Sequence, residues 1–140
     1  EDARLVAFDR SEVWTSRAQH WWSEAGLAER VDLRLGEAGP GLDALLSEPG
    51  REGSVDFVFV DADKEGYDRY YEQSLRLLRP GGLVVLDNAL WNGDVVVQDV
   101  SDPDTEAIRA INSKVTDDPR VHSLLLPIAD GMLIAQKRTG

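Results

Sequence analysis

The strongest constraint in this sequence is a series of apolar runs that each end abruptly in an acidic residue. Val55–Val60 (VDFVFV) is a nearly continuous β-branched and aromatic run, and Asp61 follows it directly. Such a run is typical of a strand that is covered on both faces in a parallel sheet. Leu83–Leu86 repeats the pattern before Asp87, and RLVAFD repeats it over Arg4–Asp9. The runs therefore predict strands whose carboxyl ends carry acids.

Segments with helical periodicity separate these runs. Ser11 can cap a helix that ends at Gly26, and Tyr67, Tyr71 and Leu75 recur at helical spacing in another. The same alternation predicts further elements: a strand over Val31–Leu35, a short helix around residues 42–46, a helix capped by Asp104 or by Asp102 before Pro103, and a closing hairpin of Val121–Pro127 and Met132–Gln136. We therefore predict an α/β fold with right-handed crossovers and an antiparallel strand at the C-terminal end.

Composition narrows the classes of partner. A chain of 140 residues predicts one domain, and its formal charge of −11 argues against nucleic acid as a partner. There are no cysteines, which excludes disulfides, thiolate metal sites and cysteine nucleophiles. No apolar run approaches the roughly 20 residues of a membrane span. The composition therefore predicts a cytoplasmic protein with neither a nucleic-acid nor a membrane partner.

Acidic side chains are expected to gather at the carboxyl ends of the strands, where open α/β sheets bind their ligands. Asp61 and Asp87 lie 26 residues apart, about one βαβ crossover, so their strand tips are expected to be roughly 5 Å apart. Two carboxylates at that distance repel each other unless a cation lies between them. Together with Asn88 they offer only oxygen ligands, which suit Mg²⁺, or Ca²⁺ or Mn²⁺, better than Zn²⁺.

Each of these residues also has a simpler interpretation. Asp and Asn after a strand are ordinary helix caps and turn residues. Asp9 has two equally good interpretations: it is a helix cap or solvated turn residue, or it accepts hydrogen bonds from two ribose hydroxyls. Lys64 is either a surface amine or, three residues beyond a predicted metal ligand, a proton acceptor, because a nearby cation and partial burial both favour the neutral amine.

Three segments carry a resemblance to a known family. VDFVFVDADKEGYDRYY, LLRPGGLVVLDNALWNG and LLLPIADGMLIAQKR resemble the cation-dependent O-methyltransferases of the caffeoyl-coenzyme A and catechol type. The resemblance covers nearly all 140 residues. It implies a Rossmann-like methyltransferase sheet, a homodimer, and methyl transfer from S-adenosylmethionine to one hydroxyl of a vicinal aromatic diol.

The resemblance also implies roles for individual residues. By it, Asp61, Asp87 and Asn88 hold the metal, magnesium being the first choice, and Lys64 is the catalytic base.

Further roles concern the cofactor and the acceptor. The resemblance assigns Asp9 to the cofactor ribose, Ala38 to the neighbourhood of the adenine, and Asp61 to the cofactor site as well as the metal. Asn92 corresponds to a substrate-contacting residue. Trp91 lies in the same motif and is at least equally well explained by packing.

The N-terminal end departs from the family pattern. Family members carry helices, a first strand and a glycine-rich loop upstream of the strand that ends in Asp9, and this chain begins at that strand. We therefore expect residues 1–140 to be a single partial methyltransferase domain. The strands that end in Asp9 and Asp61 are then expected to present unpaired apolar edges.

Two other classes of function stay open. Asp61 and Asp63 have the Asp-x-Asp spacing of haloacid-dehalogenase-like phosphotransfer enzymes. A non-catalytic interaction domain is the second alternative, in which Trp14, Trp21 and Trp22 form a partner surface, although we expect at least two of these indoles to pack against the sheet.

Overall fold

The computed structural model describes residues 3–139 as strands and helices that alternate along the chain. Strands form where β-branched and aromatic residues cluster, and helices form where apolar residues recur at helical spacing. The elements are β1 (Leu5–Asp9), α1 (Glu12–Glu24), β2 (Val31–Leu35), α2 (Ala38–Ser47), β3 (Val55–Val60), α3 (Tyr67–Leu77), β4 (Leu78–Leu86), α4 (Pro103–Asp117), β5 (Val121–Leu126) and β6 (Met132–Lys137). None of the helices in this part of the chain is long and apolar enough to cross a bilayer.

The predicted helix caps are present. The Ser11 side chain accepts a hydrogen bond from the backbone N–H of Trp14 at 3.3 Å, which starts α1. Asp102 accepts from the backbone N–H of Thr105 at 3.1 Å, with proline at the start of α4. These side chains satisfy N–H groups that have no partner within the helix.

The chain divides into two compact units, with the boundary after Ala44. In the first unit β1 and β2 are parallel, and their register pairs Asp9 with Leu35. A Cβ at Gly41 in α2 would lie 2.6 Å from the Phe8 ring, so only glycine lets this helix approach the strand so closely.

The second unit contains a four-stranded sheet in the order β3-β4-β6-β5. β3 and β4 are parallel, whereas β6 runs antiparallel to both of its neighbours, β4 and β5. The predicted α/β class and the antiparallel C-terminal hairpin are therefore confirmed. The largest fully buried apolar side chains come from α3, β4 and α4, namely Tyr67, Tyr71, Leu77, Leu78, Val84, Leu86, Ile108 and Val115.

Strand β4 begins earlier than the sequence indicates. The apolar run Leu83–Leu86 predicts a start at Leu83, yet the strand runs from Leu78 to Leu86. The pairing with β3 shifts register between Val55 and Phe57, which accommodates the proline and glycines of this segment.

The expectation for the tryptophans of α1 is wrong. Trp14 and Trp21 are 62% and 67% exposed, and only Trp22 is partly covered. The inward face of the helix instead carries the buried Thr15, together with Ala18 and Trp22, which follow it at helical spacing. Trp14 and Trp21 lie one position before Thr15 and Trp22, a rotation of about 100° away from that face.

Each sheet has one of the unpaired apolar edges that the sequence predicts. Within residues 3–139, β1 pairs with β2 alone and β3 pairs with β4 alone. Leu5 in β1 and Phe57 and Phe59 in β3 are about half exposed. The apolar character of both edges agrees with the expectation for strands that lack a neighbour.

An ion-pair network ties the residues just before β5 to α3 and predicts a pH-dependent stability. The Asp118 side chain is only 5% exposed, and it accepts hydrogen bonds from the Arg120 guanidinium and from the Tyr71 hydroxyl. The Arg120 hydrogen bond is the main cause that lowers the pKa of Asp118 to about 2. Because this folded-state pKa lies below the unfolded value of about 3.9, the carboxylate stabilises the fold above about pH 4 and loses that effect as the pH falls toward 2.

We expect Asp118→Asn to lower the free energy of unfolding by about 2 kcal/mol at pH 7, with the difference from the unsubstituted protein shrinking below pH 4. Urea unfolding at a series of pH values measures this difference. The exposed Asp117, one residue away, gives the control Asp117→Asn, for which we expect no such pH dependence. A difference that stays constant from pH 7 to pH 2.5 would contradict the prediction.

Candidate functional site

The carboxyl ends of β3 and β4 bring the predicted acidic residues to one edge of the second unit. Asp61 follows β3 directly, and Asp87 follows β4. The backbone N–H of Asp87 donates to Val60 O at 3.0 Å, which continues the parallel pairing to the strand tips. Two acids that follow paired strand ends lie on the same edge, as expected for parallel neighbours.

Lys64 lies at the centre of this edge. Its side chain is only 8% exposed. The Nζ donates to Asn88 Oδ1 at 2.8 Å and to the Tyr67 hydroxyl oxygen at 2.6 Å, and it forms a longer ion pair with Asp61 Oδ1 at 3.4 Å. The structure therefore brings Asp61 and Asn88 together around the Nζ of Lys64.

Tyr67 belongs to this group, and sequence reasoning missed it because its spacing marks it only as part of the apolar face of α3. Its hydroxyl is within hydrogen-bond distance of two backbone carbonyls, Val60 O at 3.3 Å and Asp87 O at 3.2 Å. Burial, reinforced by the charges of Asp61 and Asp87, raises the pKa of the Tyr67 phenol well above its usual value. The phenol stays protonated and links Lys64 to the two strand ends.

The backbone around Asn88 is strained. Asn88, Trp91 and Asn92 have φ values of 58°, 48° and 52°, in the left-handed region that non-glycine residues rarely occupy. For a bulky residue such as tryptophan this conformation costs about 1–2 kcal/mol. Strain of this kind concentrates at functional sites, where the surrounding structure holds it in place.

The predicted acceptor residues follow on the same segment. The Nζ of Lys64 lies 5.6 Å from the centroid of the Trp91 ring, so this indole borders the lysine. Asn92 is exposed, and its backbone N–H donates to Asp130 Oδ1 at 2.6 Å. Arg109 of α4 holds the segment that comes next, since its guanidinium donates to the carbonyl oxygens of residues 94, 95, 97 and 100.

The oxygen atoms at this edge suit a hard cation. Within residues 3–139, no cluster of three or more His, Cys, Asp or Glu side chains is arranged to hold a metal ion. The predicted set is of a different composition, two carboxylates and the amide oxygen of Asn88. Asp61 Oδ1 and Asn88 Oδ1 already face a single nitrogen, the Nζ of Lys64. All three predicted ligands are oxygen donors, which fits Mg²⁺, Mn²⁺ or Ca²⁺.

Asp63 is engaged by residues of its own loop and of α3. Its Oδ1 accepts a hydrogen bond from the Tyr70 hydroxyl at 2.7 Å. A Cβ at Gly66 would lie 2.6 Å from Asp63 Oδ2 and 2.5 Å from the Tyr70 ring, so the carboxylate packs tightly against its own loop. The geometry therefore favours a local structural role for Asp63.

The predicted cofactor residues of the first unit lie at the corresponding end of its sheet. Asp9 is the last residue of β1, and Ala38 begins α2 shortly after β2 ends. Asp9 is exposed and its Oδ1 accepts from the backbone N–H of Ser11 at 2.7 Å. Asp9 thus forms an exposed turn with Ser11, which is one of its two simpler interpretations.

Comparisons with known proteins agree on one family. Residues 1–138 match the family model described as O-methyltransferase. The chain is 43% identical over 138 residues to a probable caffeoyl-CoA O-methyltransferase 2 of Dictyostelium discoideum, an alignment that covers 98% of this chain and 59% of that protein.

Solved structures give the same result. An O-methyltransferase from Bacillus cereus in complex with SAH has a TM-score of 0.88 and 31% identity, over 96% of this chain and 63% of that one. The O-methyltransferase TomG from Streptomyces achromogenes, involved in tomaymycin synthesis and in complex with SAM, has a TM-score of 0.88 and 29% identity, over 96% of this chain and 62% of that one. The fold is therefore the Rossmann-like methyltransferase fold. The chain spans less than two thirds of the length of each of these three proteins.

Proposed function

Since the chain belongs to the O-methyltransferase family, whose model covers residues 1–138, we propose that the protein transfers the methyl group of S-adenosylmethionine to one hydroxyl of a vicinal aromatic diol. The observation that carries this proposal is the placement of Lys64. Its buried amine lies between the oxygens of Asp61 and Asn88, at the carboxyl ends of paired parallel strands. This is the edge at which α/β sheets bind small molecules.

The proposed reaction balances with one proton acceptor on the protein. The bond between sulfur and the methyl carbon breaks as a bond forms between that carbon and the acceptor oxygen, leaving S-adenosylhomocysteine. The acceptor hydroxyl gives its proton to Nζ of Lys64. The neighbouring Tyr67 phenol cannot take that proton, because it is itself protonated and its raised pKa keeps it so.

We assign Asp61, Asp87 and Asn88 to a divalent cation, with Mg²⁺ as the first choice and Mn²⁺ or Ca²⁺ as alternatives. When bound there, the cation supplies Lewis-acid stabilisation of the acceptor oxyanion and a template for both hydroxyls. One oxygen of Asp87 accepts from the backbone N–H of Asn88 at 2.7 Å, which fixes the direction of this carboxylate. The buried Lys64 is held at the same edge, where it would take the proton of an acceptor bound to the cation.

Other residues are assigned to the two substrates. Asp9 binds the cofactor ribose through its carboxylate, Ala38 lies beside the adenine, and Asp61 contributes to the cofactor site. Asn92 and Trp91 border the acceptor. The SAM and SAH in the two similar structures support the cofactor, and the relative's name supports an aromatic acceptor of the caffeoyl type. A homodimer remains a prediction from the resemblance, and a cytoplasmic location remains a prediction from the composition.

The reaction is tested by transfer of labelled methyl from S-adenosylmethionine to a panel of phenols in the presence of Mg²⁺, with the full-length protein. We expect catechol-type acceptors, whose hydroxyls are adjacent, to be labelled at least tenfold faster than resorcinol-type isomers, because only adjacent hydroxyls can share one cation. Hydrolysis of p-nitrophenyl phosphate is the parallel assay for phosphotransfer. Failure to label any diol while the protein binds S-adenosylhomocysteine would contradict the proposal.

A further inference from the structure

The amide of Asn88 is held by two partners of opposite character. Its Oδ1 accepts from Nζ of Lys64 at 2.8 Å, and its Nδ2 donates to Asp130 Oδ2 at 3.1 Å. An ionised carboxylate can accept hydrogen bonds and cannot donate them. Asp130 therefore requires the NH₂ group of Asn88 on its side, and this leaves the amide oxygen facing Lys64.

The second oxygen of Asp130 is engaged in the same segment. Asp130 Oδ1 accepts from the backbone N–H of Asn92 at 2.6 Å. Asn88 and Asn92 both have left-handed backbone conformations. One carboxylate therefore accepts hydrogen bonds from both ends of the strained segment. A proposed metal ligand and a proposed acceptor residue are thus tied to a single side chain.

The hairpin turn between β5 and β6 fixes the position of that carboxylate. The backbone N–H groups of Ala89 and Leu90 donate to the carbonyls of Gly131 and Asp130, at 2.9 and 2.8 Å. A Cβ at Gly131 would lie 2.5 Å from Leu90 Cγ, and Gly131 has a φ of +83°. The turn therefore packs against residues 89–90 as closely as glycine allows, and its carboxylate has little freedom to move.

We propose that Asp130 is the positioning residue of the cation site: it holds Asn88 so that the amide presents its oxygen, and not its NH₂ group, to the cation. This inference rests on the proposed function. Asp130 contacts neither cation nor acceptor, and it acts through Asn88 and Asn92. Outer partners of this kind set the orientation of metal ligands, and their loss costs about 10–100-fold in affinity or activity.

The substitution Asp130→Asn separates orientation from shape. Asn at position 130 has the same size, and its single oxygen can still accept from Asn92. Its NH₂ group then faces the NH₂ group of Asn88, two donors without an acceptor. We expect the Asn88 amide to rotate by 180°, which turns its NH₂ group toward the cation and removes one ligand.

The double variant Asn88→Asp with Asp130→Asn reverses the pair. Asp at position 88 presents an oxygen in either orientation, and it accepts from the NH₂ group at position 130. The oxygen of that residue stays available to Asn92. We therefore expect the exchange to restore cation binding that Asp130→Asn alone has lost.

Mn²⁺ binding, followed by the electron paramagnetic resonance signal of free Mn²⁺, gives a readout that does not depend on turnover. We expect Kd to rise at least tenfold in Asp130→Asn, to return within about threefold of the unsubstituted value in the double variant, and to stay unchanged in Asp117→Asn, which removes the same charge from an exposed position.

Two outcomes would overturn the inference alone: equal Mn²⁺ affinity in Asp130→Asn and the unsubstituted protein, or a double variant that binds no better than Asp130→Asn. Absence of Mn²⁺ binding in the unsubstituted full-length protein would overturn the proposed metal site, and the inference with it. Thermal unfolding of each variant shows whether any loss of binding comes from a loss of fold.

Discussion

Replacing Lys64 with Met is expected to reduce kcat for methyl transfer by about 10²–10⁴-fold, the usual contribution of a positioned general base. Met keeps the length and apolar stem of the buried side chain and has no group that accepts a proton. The three hydrogen-bond partners of Nζ, namely Asp61, Tyr67 and Asn88, stay in place. The measurement is kcat at saturating S-adenosylmethionine and acceptor.

Two further variants separate three roles: proton acceptance by Lys64, the charge of Lys64, and cofactor binding. Lys64→Arg keeps the positive charge but cannot accept a proton at neutral pH, so we expect it to be as slow as Lys64→Met. Asp9→Ala is expected to weaken S-adenosylhomocysteine binding tenfold or more, since it removes the carboxylate that we propose binds the ribose, and to change kcat much less. Normal turnover in Lys64→Arg, or equal effects of Asp9→Ala on affinity and kcat, would contradict this division of roles.

Elements with a strong local pattern could be predicted from the sequence. The bounds of β2 and β3 are those of the apolar runs, and the caps at Ser11 and Asp102 are where their side-chain types indicate. These features depend on residues within a few positions of one another. The start of β4 differs from the prediction because its proline and glycines resemble a helix stop, whereas Leu78 already pairs with Val55 of β3 and residues 79–82 lie in the register shift that follows.

The features of the site that could not be predicted from the sequence depend on contacts between residues far apart in the chain. Asp130 reads as an ordinary turn residue, because nothing near it in the chain indicates that the turn meets Asn88 and Asn92, about forty positions earlier. The opposite error concerns Trp14 and Trp21, whose size predicts packing. Their position on α1, one residue before the inward face, leaves them exposed.

Removing divalent cations is expected to lower methyl transfer by about 10³-fold. A phenol with a pKa near 10 is almost fully protonated at neutral pH, and lowering that pKa to about 7 corresponds to roughly 4 kcal/mol. We attribute much of this effect to the cation that Asp61, Asp87 and Asn88 are proposed to hold. Lys64 alone would then have to take the proton from an ordinary phenol. The measurement is labelled-methyl transfer to a catechol after exhaustive EDTA treatment, compared with the same protein in Mg²⁺.

Two controls connect the loss to the proposed ligands. Adding Mg²⁺ in excess of the chelator should restore the full rate, and S-adenosylhomocysteine should bind equally well with and without EDTA. Asp87→Asn, in which one carboxylate oxygen becomes an NH₂ group, should need a higher Mg²⁺ concentration for half-maximal rate, because a neutral amide binds Mg²⁺ more weakly than a carboxylate. Turnover that continues unchanged in EDTA would show that the acceptor ionises without a metal, and would leave Lys64 as the group that must activate it.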